Sequence, residues 1–443
     1  MDATIKRSLH NSLLDGIFAN VMSGFTDTFM APYALAMGAG SGLIGLLASL
    51  PSLVGAFFQS VSASIAERLG SRQALINPAV LLHACMLVPI ILVPYIFTSR
   101  PAAYLVVCYT AFVSLNLLAF PAWSSMMADH VPEAERGKVF GRRNSIFGVT
   151  NVAAMFTAGC LLYATKHFLI ARGLDIRHAA IAGFGVIFLI AFAARLVSWH
   201  FLVKMYEPKL EIRAEHRFTI WDFIRRMRKS NFGRFVIFSA AMSCAVNISG
   251  PFLPVYMIRE LKFNYLTYTV ITLTATLTIF LMMNWWGLHA DHIGNRKVIR
   301  VSSFLLPLIP VFWIFSHNPV YLVAIQALAG FFWAGFNLGL SNFIYDAVTP
   351  EKRTRCIAYF NVINGVAITL GALAGGLLVK VLPPVFGSRV MPLFFISAAG
   401  RLAVAAFLGN FKEVRQVKHV SHKDLLYSII GLRPILATLS KSE

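Results

Sequence analysis

Ionisable side chains are scarce inside the long apolar stretches of this chain, and four of them could do chemistry there. They are Asp27, His83, Arg195 and Arg401. Asp27 is flanked by Thr26 and Thr28 and has no basic neighbour in sequence. A carboxyl group kept from water holds a proton more readily, and releases it when its surroundings become wet. Asp27 is therefore our candidate proton-coupling residue. The alternative is an aspartate that only bonds nearby hydroxyl groups or pairs with a base from another segment.

The other three residues allow simpler readings. Arg195 and Arg401 each lie a few turns from the end of an apolar segment, so their side chains could extend to the membrane surface. They could equally take part in ion pairs that hold segments together. His83 has no partner nearby in sequence with the spacing of a metal ligand. We expect it to be a satisfied or interfacial histidine.

The composition points to a membrane protein. The chain has 443 residues, of which 57% are hydrophobic and 13% are charged, whereas a soluble domain carries about 25% charged residues. Disordered proteins, nucleic-acid-binding domains and ordinary soluble enzymes fit this composition poorly. We also find no phosphate-binding loop, nucleophile elbow or paired Cys/His spacing. We therefore expect no enzymatic activity, no cofactor and no metal site.

Charge-free stretches long enough to cross a bilayer recur along the whole chain. A crossing helix needs about 20 apolar residues. The sequence predicts twelve such helices, which we number 1 to 12. Their spans are 13–37, 42–66, 73–97, 102–128, 144–165, 178–203, 232–258, 264–289, 298–316, 319–346, 358–381 and 391–410.

The basic residues are distributed unequally between the two sides of these helices. Twelve crossings place both termini on one side, and the segments on that side hold 29 Lys and Arg residues against 8 in the opposite loops. Cytoplasmic segments of membrane proteins carry such an excess. We expect both termini in the cytoplasm. The net charge of +20 then reflects topology, and it requires no nucleic-acid partner.

The loops reveal that the second half of the chain repeats the first. Glu67-Arg68-Leu-Gly-Ser-Arg72 between helices 2 and 3 matches Asp291-His-Ile-Gly-Asn-Arg296 between helices 8 and 9. Two more pairs of segments match in the same order, one after helices 4 and 10 and one at the ends of helices 6 and 12. Duplicated halves are common in transporters.

The repeated positions predict a pseudo-symmetric charge network on the cytoplasmic face, acting as a gate. Ion pairs across the two halves would close this face and would part when it opens. Its proposed members are Glu67, Arg68, Arg72, Asp129, Arg136, Arg195, Glu207, Asp291, Arg296, Asp346, Arg353, Arg401 and Glu413. Polar or aromatic residues within spans are candidates for lining a cavity, although several could be interhelical hydrogen-bond partners only. We name Asn247, Asn116, Asn337 and Trp333. Asn247 precedes Gly250-Pro251-Phe252-Leu253-Pro254, and this Gly/Pro run predicts an interruption of helix 7, as often found at transport sites.

The loop Gly287–Lys297 resembles the loop signature of the major facilitator superfamily, with His292 at a position usually occupied by Arg. Ala63–Arg72 is a weaker copy. The resemblance covers residues 12–413, and it implies an all-α membrane protein built from two pseudo-symmetric six-helix bundles. The implied divisions are 1–203 for the first bundle, 204–231 for a basic linker, 232–410 for the second bundle and 411–443 for a cytoplasmic tail.

This resemblance also implies a function. Members of the superfamily are secondary active transporters in which the two bundles rock about a central site. We expect transport of a small organic solute together with a proton or another coupling ion, in contact with membrane lipids. We expect a monomer in the plasma membrane, specifically a bacterial inner membrane. The alternative is a transport-inactive sensor or scaffold of the same fold, which would bind a solute without moving it.

The linker between the bundles has an amphipathic pattern. Ile220, Phe223, Ile224 and Met227 recur at helical spacing, with basic residues on the other side. This pattern predicts a helix lying on anionic headgroups. An ordinary solvated linker is the alternative. Residues 425–430 of the tail have a weaker pattern of the same kind.

Overall fold

A computed structural model of the chain describes residues 3–131, 136–208, 220–348 and 350–414. Every predicted span that falls in this part is helical, and the described residues contain no β-strand. Helices 1 to 6 occupy Ala3–Thr26 with Met30–Ala36, Ser41–Leu69, Arg72–Cys85 with Leu87–Ile96, Pro101–His130, Arg136–Ala171 and Ile176–Val203. Helices 7 to 12 occupy Asn231–Ser249 with its continuation to Glu260, Tyr265–Ile293, Asn295–Leu305 with Leu308–Phe312, Pro319–Ala347, Pro350–Val381 and Met391–Phe407.

Nine of the helical stretches in the described residues are long and apolar enough to cross a membrane. The remaining three predicted crossings are helical but fall short of this measure. They are helix 1, helix 9, which is divided into two short pieces, and helix 12, which has only 17 residues. The all-α membrane fold is thus confirmed, while the count of twelve full crossings is not reproduced exactly.

Prolines account for the breaks in helices 1 and 9. A proline has no N–H group to bond the carbonyl four residues earlier. Pro32 therefore leaves the carbonyl of Thr28 without a helical partner, and helix 1 is interrupted between Thr26 and Met30. Pro310 likewise has no N–H for the Leu306 carbonyl, which accepts instead from the Ile309 N–H at 3.4 Å where helix 9 is interrupted. Both carbonyls also accept from side chains of other helices.

Helix 7 changes its geometry at the Gly/Pro interruption seen in the sequence. It is α-helical to Ser249, forms a 3₁₀ turn over Gly250–Phe252, and ends in a π-helical turn over Tyr256–Glu260. Pro251 and Pro254 each remove a backbone donor. Such departures from α-helical geometry frequently occur at functional sites.

The two bundles contact each other closely on one side. Helix 2 packs against helix 11, and helix 5 against helix 8. The contacts involve residues 42–56 and 365–380 in the first pair and residues 148–166 and 265–280 in the second. Most of these residues lie in the halves of the helices that are farther from the N-terminus of the chain, and the contact of Gly148 with Phe280 extends toward the middle of helices 5 and 8. We call this side the sealed side, and we call the other the terminal side.

Glycines permit the close approach at the sealed side. A Cβ atom on Gly45 of helix 2 would lie 2.9 Å from the carbonyl oxygen of Ala372 in helix 11. A Cβ on Gly159 of helix 5 would lie 2.5 Å from Thr269 in helix 8. Any larger residue would require the backbones to separate, so the seal depends on these small positions.

The linker contains a short helix, Ile220–Arg226. Phe223 is buried on it and packs against Phe232 and Tyr359, whereas Trp221 is 69% exposed. The predicted tail pattern at 425–430 lies outside the described residues.

Candidate functional site: an acidic cavity in the first bundle

A cavity of about 240 Å³ lies between helices 1, 3 and 4. Its polar lining consists of Ser23, Asp27, His83, Tyr109 and Asn116, and the remaining lining residues are Met22, Phe112, Val113 and Leu117. Asp27 is directly after the first piece of helix 1, and its side chain is exposed. The hydroxyl of Thr26 donates to one of its carboxylate oxygens at 3.2 Å. No Lys, Arg or His of the described residues lies within 4 Å of this carboxylate.

A chain of buried polar groups begins at the wall of this cavity. Arg195 of helix 6 donates from Nε to His83 Nδ1 at 3.1 Å and from Nη2 to Asn116 Oδ1 at 3.4 Å. Its Nη1 donates to Ser198 Oγ at 2.9 Å. Ser198 in turn donates to Asp15 of helix 1 at 2.6 Å. The Arg195 guanidinium group thus links helix 6 directly to helices 3 and 4, and through Ser198 to helix 1.

Asp15 has a second basic neighbour. Arg143 of helix 5 is 7% exposed, and its guanidinium lies 4.6 Å from the Trp123 ring centroid and 4.7 Å from that of Phe147. Both Arg143 and Arg195 attract the Asp15 carboxylate electrostatically. A buried carboxylate between two guanidinium groups is energetically tolerable because the opposite charges compensate each other's lost hydration.

Arg401 in the second bundle has a different environment. It occupies the position that corresponds to Arg195, and it is 6% exposed. Its Nε donates to Ser397 and its Nη1 donates to the carbonyl of Leu306, which has no α-helical donor at Pro310. No carboxylate of the described residues lies within 4 Å of it. The charged chemistry of the membrane interior is therefore concentrated in the first bundle.

One hydrogen bond connects the sealed side to the neighbourhood of Asp27. The hydroxyl of Tyr268 in helix 8 donates to the Thr28 carbonyl at 2.9 Å. This is the carbonyl that Pro32 leaves without a helical donor. Tyr268 is 2% exposed, so water does not replace the bond while the halves are in contact. The second bundle thereby contacts the break of helix 1 one residue after Asp27.

The two related loops are held in the same manner at the terminal side. Glu207 accepts from the backbone N–H of Arg72 and from the hydroxyl of Ser71 at the start of helix 3. Glu413 accepts from the backbone N–H of Arg296 at 2.7 Å, at the start of helix 9. A carboxylate is stabilised there by the free N–H groups and the dipole of the helix.

These repeated geometries agree with the comparisons with known proteins. Residues 16–289 and 235–439 match the family model described as Major Facilitator Superfamily. The chain belongs to the major facilitator superfamily. It is a multi-pass membrane protein of a transporter family, and the resemblance drawn from its loop motifs is confirmed.

The individual proteins that this major facilitator matches have low sequence identity to it. A stretch of 91 residues is 28% identical to "Probable efflux pump gsfJ" of Penicillium aethiopicum, covering 20% of this chain and 16% of that protein's length. Among solved structures, the nucleoside transporter NupG aligns with a TM-score of 0.68 and 14% identity, over 92% of this chain and 98% of that one. The D-xylose-proton symporter aligns with a TM-score of 0.68 and 13% identity, over 94% and 99%. At such identities these two structures show the shared fold.

Of the four predicted cavity residues of this major facilitator, one lies in the cavity described above. Asn116 lines the cavity beside Asp27. Asn247 donates to the carbonyl of Ser243 in its own helix at 2.8 Å. Trp333 packs edge-on against Phe336, and Asn337 is exposed elsewhere in the second bundle.

The predicted gate residues fall within separate halves. Arg72 pairs with Asp129 at 2.6 Å and lies 3.9 Å from Glu207. In the second half, Asn295 donates to Asp346 at 2.7 Å. Arg195 and Arg401 lie in the bundle interiors, as described above. Glu67, Arg68 and Asp291 are exposed, and the side chains of Arg136 and Arg353 lie outside the described residues.

Two charged residues of the site were missed by the sequence reasoning. Asp15 lies inside the predicted span of helix 1, so its position alone could have nominated it. Arg143 is adjacent to the predicted start of helix 5, where it is grouped with the basic residues of the loop. Phe147 follows Arg143 by four residues on helix 5, so helical spacing places it beside Arg143. No sequence signal indicated that Trp123 would also contact Arg143, because Trp123 comes from helix 4.

We expect the Tyr268→Phe variant to weaken the seal. It removes one hydroxyl from a buried bond between halves, worth about 0.5–1.5 kcal/mol, and should therefore lower the sealed population roughly 2- to 10-fold relative to the open one. Distances between spin labels on helices 2 and 11 would measure this change. Tyr321→Phe is the matched control, since Tyr321 donates to the Phe312 carbonyl at 2.9 Å within one bundle. An equal change in both variants would contradict the role of Tyr268.

Proposed function

We propose that this protein is a secondary active transporter that moves a small organic solute together with protons, with Asp27 as the proton-coupling residue. Transport proceeds by alternating access, in which the two bundles open first to one side and then to the other. The protein acts in the plasma membrane, specifically a bacterial inner membrane, with both termini in the cytoplasm.

The exposed carboxylate of Asp27 carries the proposal. It sits at a helix break inside a cavity, without a basic partner within 4 Å in the described residues. Protonation of such a group changes the charge of the cavity by one unit. The same break accepts the Tyr268 bond from the other bundle. A change of charge at Asp27 can therefore alter the stability of the contact that closes the sealed side.

The charge distribution supports the assignment of the sealed side to the exterior. The termini and most basic residues lie on the terminal side, which the positive-inside bias places in the cytoplasm. We infer from this orientation that the structure is an inward-open state. In this state the pairs Arg72–Asp129 and Asn295–Asp346 stay within their own halves. We propose that they meet across the halves when the cytoplasmic face closes.

Proton-coupled flux in proteoliposomes tests this function. The purified protein is reconstituted around a trapped pH-sensitive dye, and D-xylose, uridine, amino acids and aromatic amines are added in turn. We expect at least one class to move protons in a protein-dependent manner, with the sign of the pH change giving symport or antiport.

Binding without flux would contradict the proposal. If a solute raises the melting temperature of the protein but moves neither itself nor protons across the vesicle membrane, the protein is the transport-inactive sensor or scaffold of this fold. The solutes named for the related proteins belong to those proteins and do not identify the solute of this one. The panel therefore includes several solute classes.

A further inference from the structure

We propose that Arg195 keeps His83 as a neutral imidazole with its proton on Nε2, facing the cavity. This Nε2–H donor recognises an uncharged solute rich in hydroxyl or amide groups. The inference concerns the solute class of the site described above and rests on the proposed transport function. Neither residue has a role in the cytoplasmic gate under this proposal: Arg195 is a positioning residue, and His83 determines specificity.

The hydrogen-bonding capacity of the two side chains decides which ring nitrogen of His83 carries the proton. A guanidinium group carries only donors. Since Arg195 Nε donates to His83 Nδ1 at 3.1 Å, Nδ1 must present its lone pair. The proton of a neutral imidazole then resides on Nε2. A second proton on the ring would have to occupy Nδ1, opposite the Arg195 N–H group.

The surroundings fix this arrangement. His83 is 1% exposed, and its ring stacks on Phe112 with centroids 4.0 Å apart. Arg195 is itself anchored by Ser198 and Asn116. The pair therefore cannot separate without losing several bonds. The other ionisable groups around His83 are Asp27 and Tyr109, which share the cavity, and Asp15, which lies beyond Ser198.

The cavity then offers donors on one wall and an acceptor on another. His83 supplies Nε2–H. Asn116 uses its oxygen to accept from Arg195, which directs its NH₂ group toward other acceptors. Asp27 supplies carboxylate oxygens. A solute that fits must accept hydrogen bonds from His83 and Asn116 and donate to Asp27, as hydroxyl and amide groups do.

Charge and size limit the solute further. An anion would be repelled by Asp27, and the positive charge of Arg195 lies behind His83 with its donors occupied. A cation without hydrogen-bonding groups would leave the donors of His83 and Asn116 unpaired, which is costly in a buried site. A volume of about 240 Å³ equals roughly eight water molecules at about 30 Å³ each, so a monosaccharide-sized solute fits.

Nitrogen-15 NMR of the histidine-labelled protein in lipid tests the first part without any solute. The His83 signal among the 12 histidines is assigned by its loss in His83→Gln. We expect the neutral Nε2–H tautomer in the parent at about pH 7, since Arg195 donates to Nδ1. Arg195→Gln removes this obligate donor and should let the Nδ1–H tautomer appear, whereas Arg401→Gln in the other bundle should leave the His83 signal unchanged. A protonated ring or an Nδ1–H form in the parent would overturn the proposal.

Three matched probes test the solute class. D-ribose is a neutral polyol, gluconate is a polyol anion, and choline is a cation with a single hydroxyl. We expect D-ribose to shift the His83 Nε2 signal and to protect the protein from thermal unfolding, with at least tenfold weaker protection in His83→Leu. Should gluconate or choline do this in place of D-ribose, or should no probe shift the signal, the solute class is wrong.

The outcomes remain separate from those of the transport assay. The NMR result depends on the Arg195–His83 geometry alone, and it holds whether or not vesicles show proton-coupled flux. Arg195→Lys supplies a second variant if Arg195→Gln fails to fold. It keeps the positive charge but lacks the planar set of donors that reaches His83, Ser198 and Asn116 together, so it should also let the Nδ1–H tautomer of His83 appear.

Discussion

Asp27→Asn should abolish solute accumulation driven by a pH gradient while leaving downhill exchange of the solute intact. Asparagine matches aspartate in shape but cannot gain or lose a proton. If one proton moves with each solute, a pH difference of one unit supports about tenfold accumulation, because about 1.4 kcal/mol corresponds to a factor of ten. We expect the accumulation ratio of the variant to fall to 1. Steady-state uptake of radiolabelled solute into proteoliposomes at imposed pH differences gives this ratio.

Two controls separate coupling from folding. Asp27→Glu keeps the carboxyl group and should keep accumulation, though with altered affinity. Thr26→Val removes the hydroxyl that donates to Asp27 at 3.2 Å without removing the titrating group, and should alter the pH midpoint of transport and preserve the ratio. Retention of tenfold accumulation by Asp27→Asn would exclude this residue as the coupling site.

Gly45→Leu should prevent closure of the sealed side. The Cβ alone would lie 2.9 Å from the Ala372 carbonyl oxygen, which is part of the helix 11 backbone and cannot turn aside. Inserting extra carbon atoms into a packed site costs about 1–3 kcal/mol, which shifts the equilibrium between sealed and open forms roughly 5- to 150-fold. The protein should remain folded, because the overlap is relieved when the halves separate, and transport should be lost.

Cysteine labelling measures this shift. In a background without the five native cysteines, Ser49→Cys places a thiol in the seal, where Ser49 is 0% exposed and its carbonyl accepts from Thr369 at 3.1 Å. We expect an impermeant maleimide to react at least tenfold faster in the Gly45→Leu protein. Gly185→Leu is the control, since a Cβ there would meet only Ile91 at 3.8 Å. Equal labelling rates in both would show that Gly45 does not set the closure.

The two related loops were located correctly from the sequence because the same residue types recur in both halves. The Glu67 and Asp291 loops recur at identical spacing, and the structure adds that Glu207 and Glu413 each bond the first turn of the helix that follows the related loop. The sequence offered the matching pair, since both glutamates lie twelve residues after Arg195 and Arg401. It could not show which backbone N–H groups they would bind.

The breaks of the helices were only partly predictable. Pro251 and Pro254 predicted an interruption of helix 7, and the structure has one there. Pro32 carried the same information for helix 1. Its consequence, a free carbonyl at Thr28 that accepts from Tyr268, required knowledge of which helix of the other bundle would lie beside it.

The membrane-spanning, duplicated helical architecture and the membership in the major facilitator superfamily followed from the amino-acid sequence without any coordinates. Apolar length and loop spacing are local properties, and the bilayer converts them directly into helices. The packing of the helices was needed to learn that Asp27 faces a cavity with His83 and Asn116, that Arg195 belongs to this cavity, and that Asp15 and Arg143 lie behind it. Those neighbours come from five different helices, and their proximity depends on how the helices pack, which no spacing along the chain records.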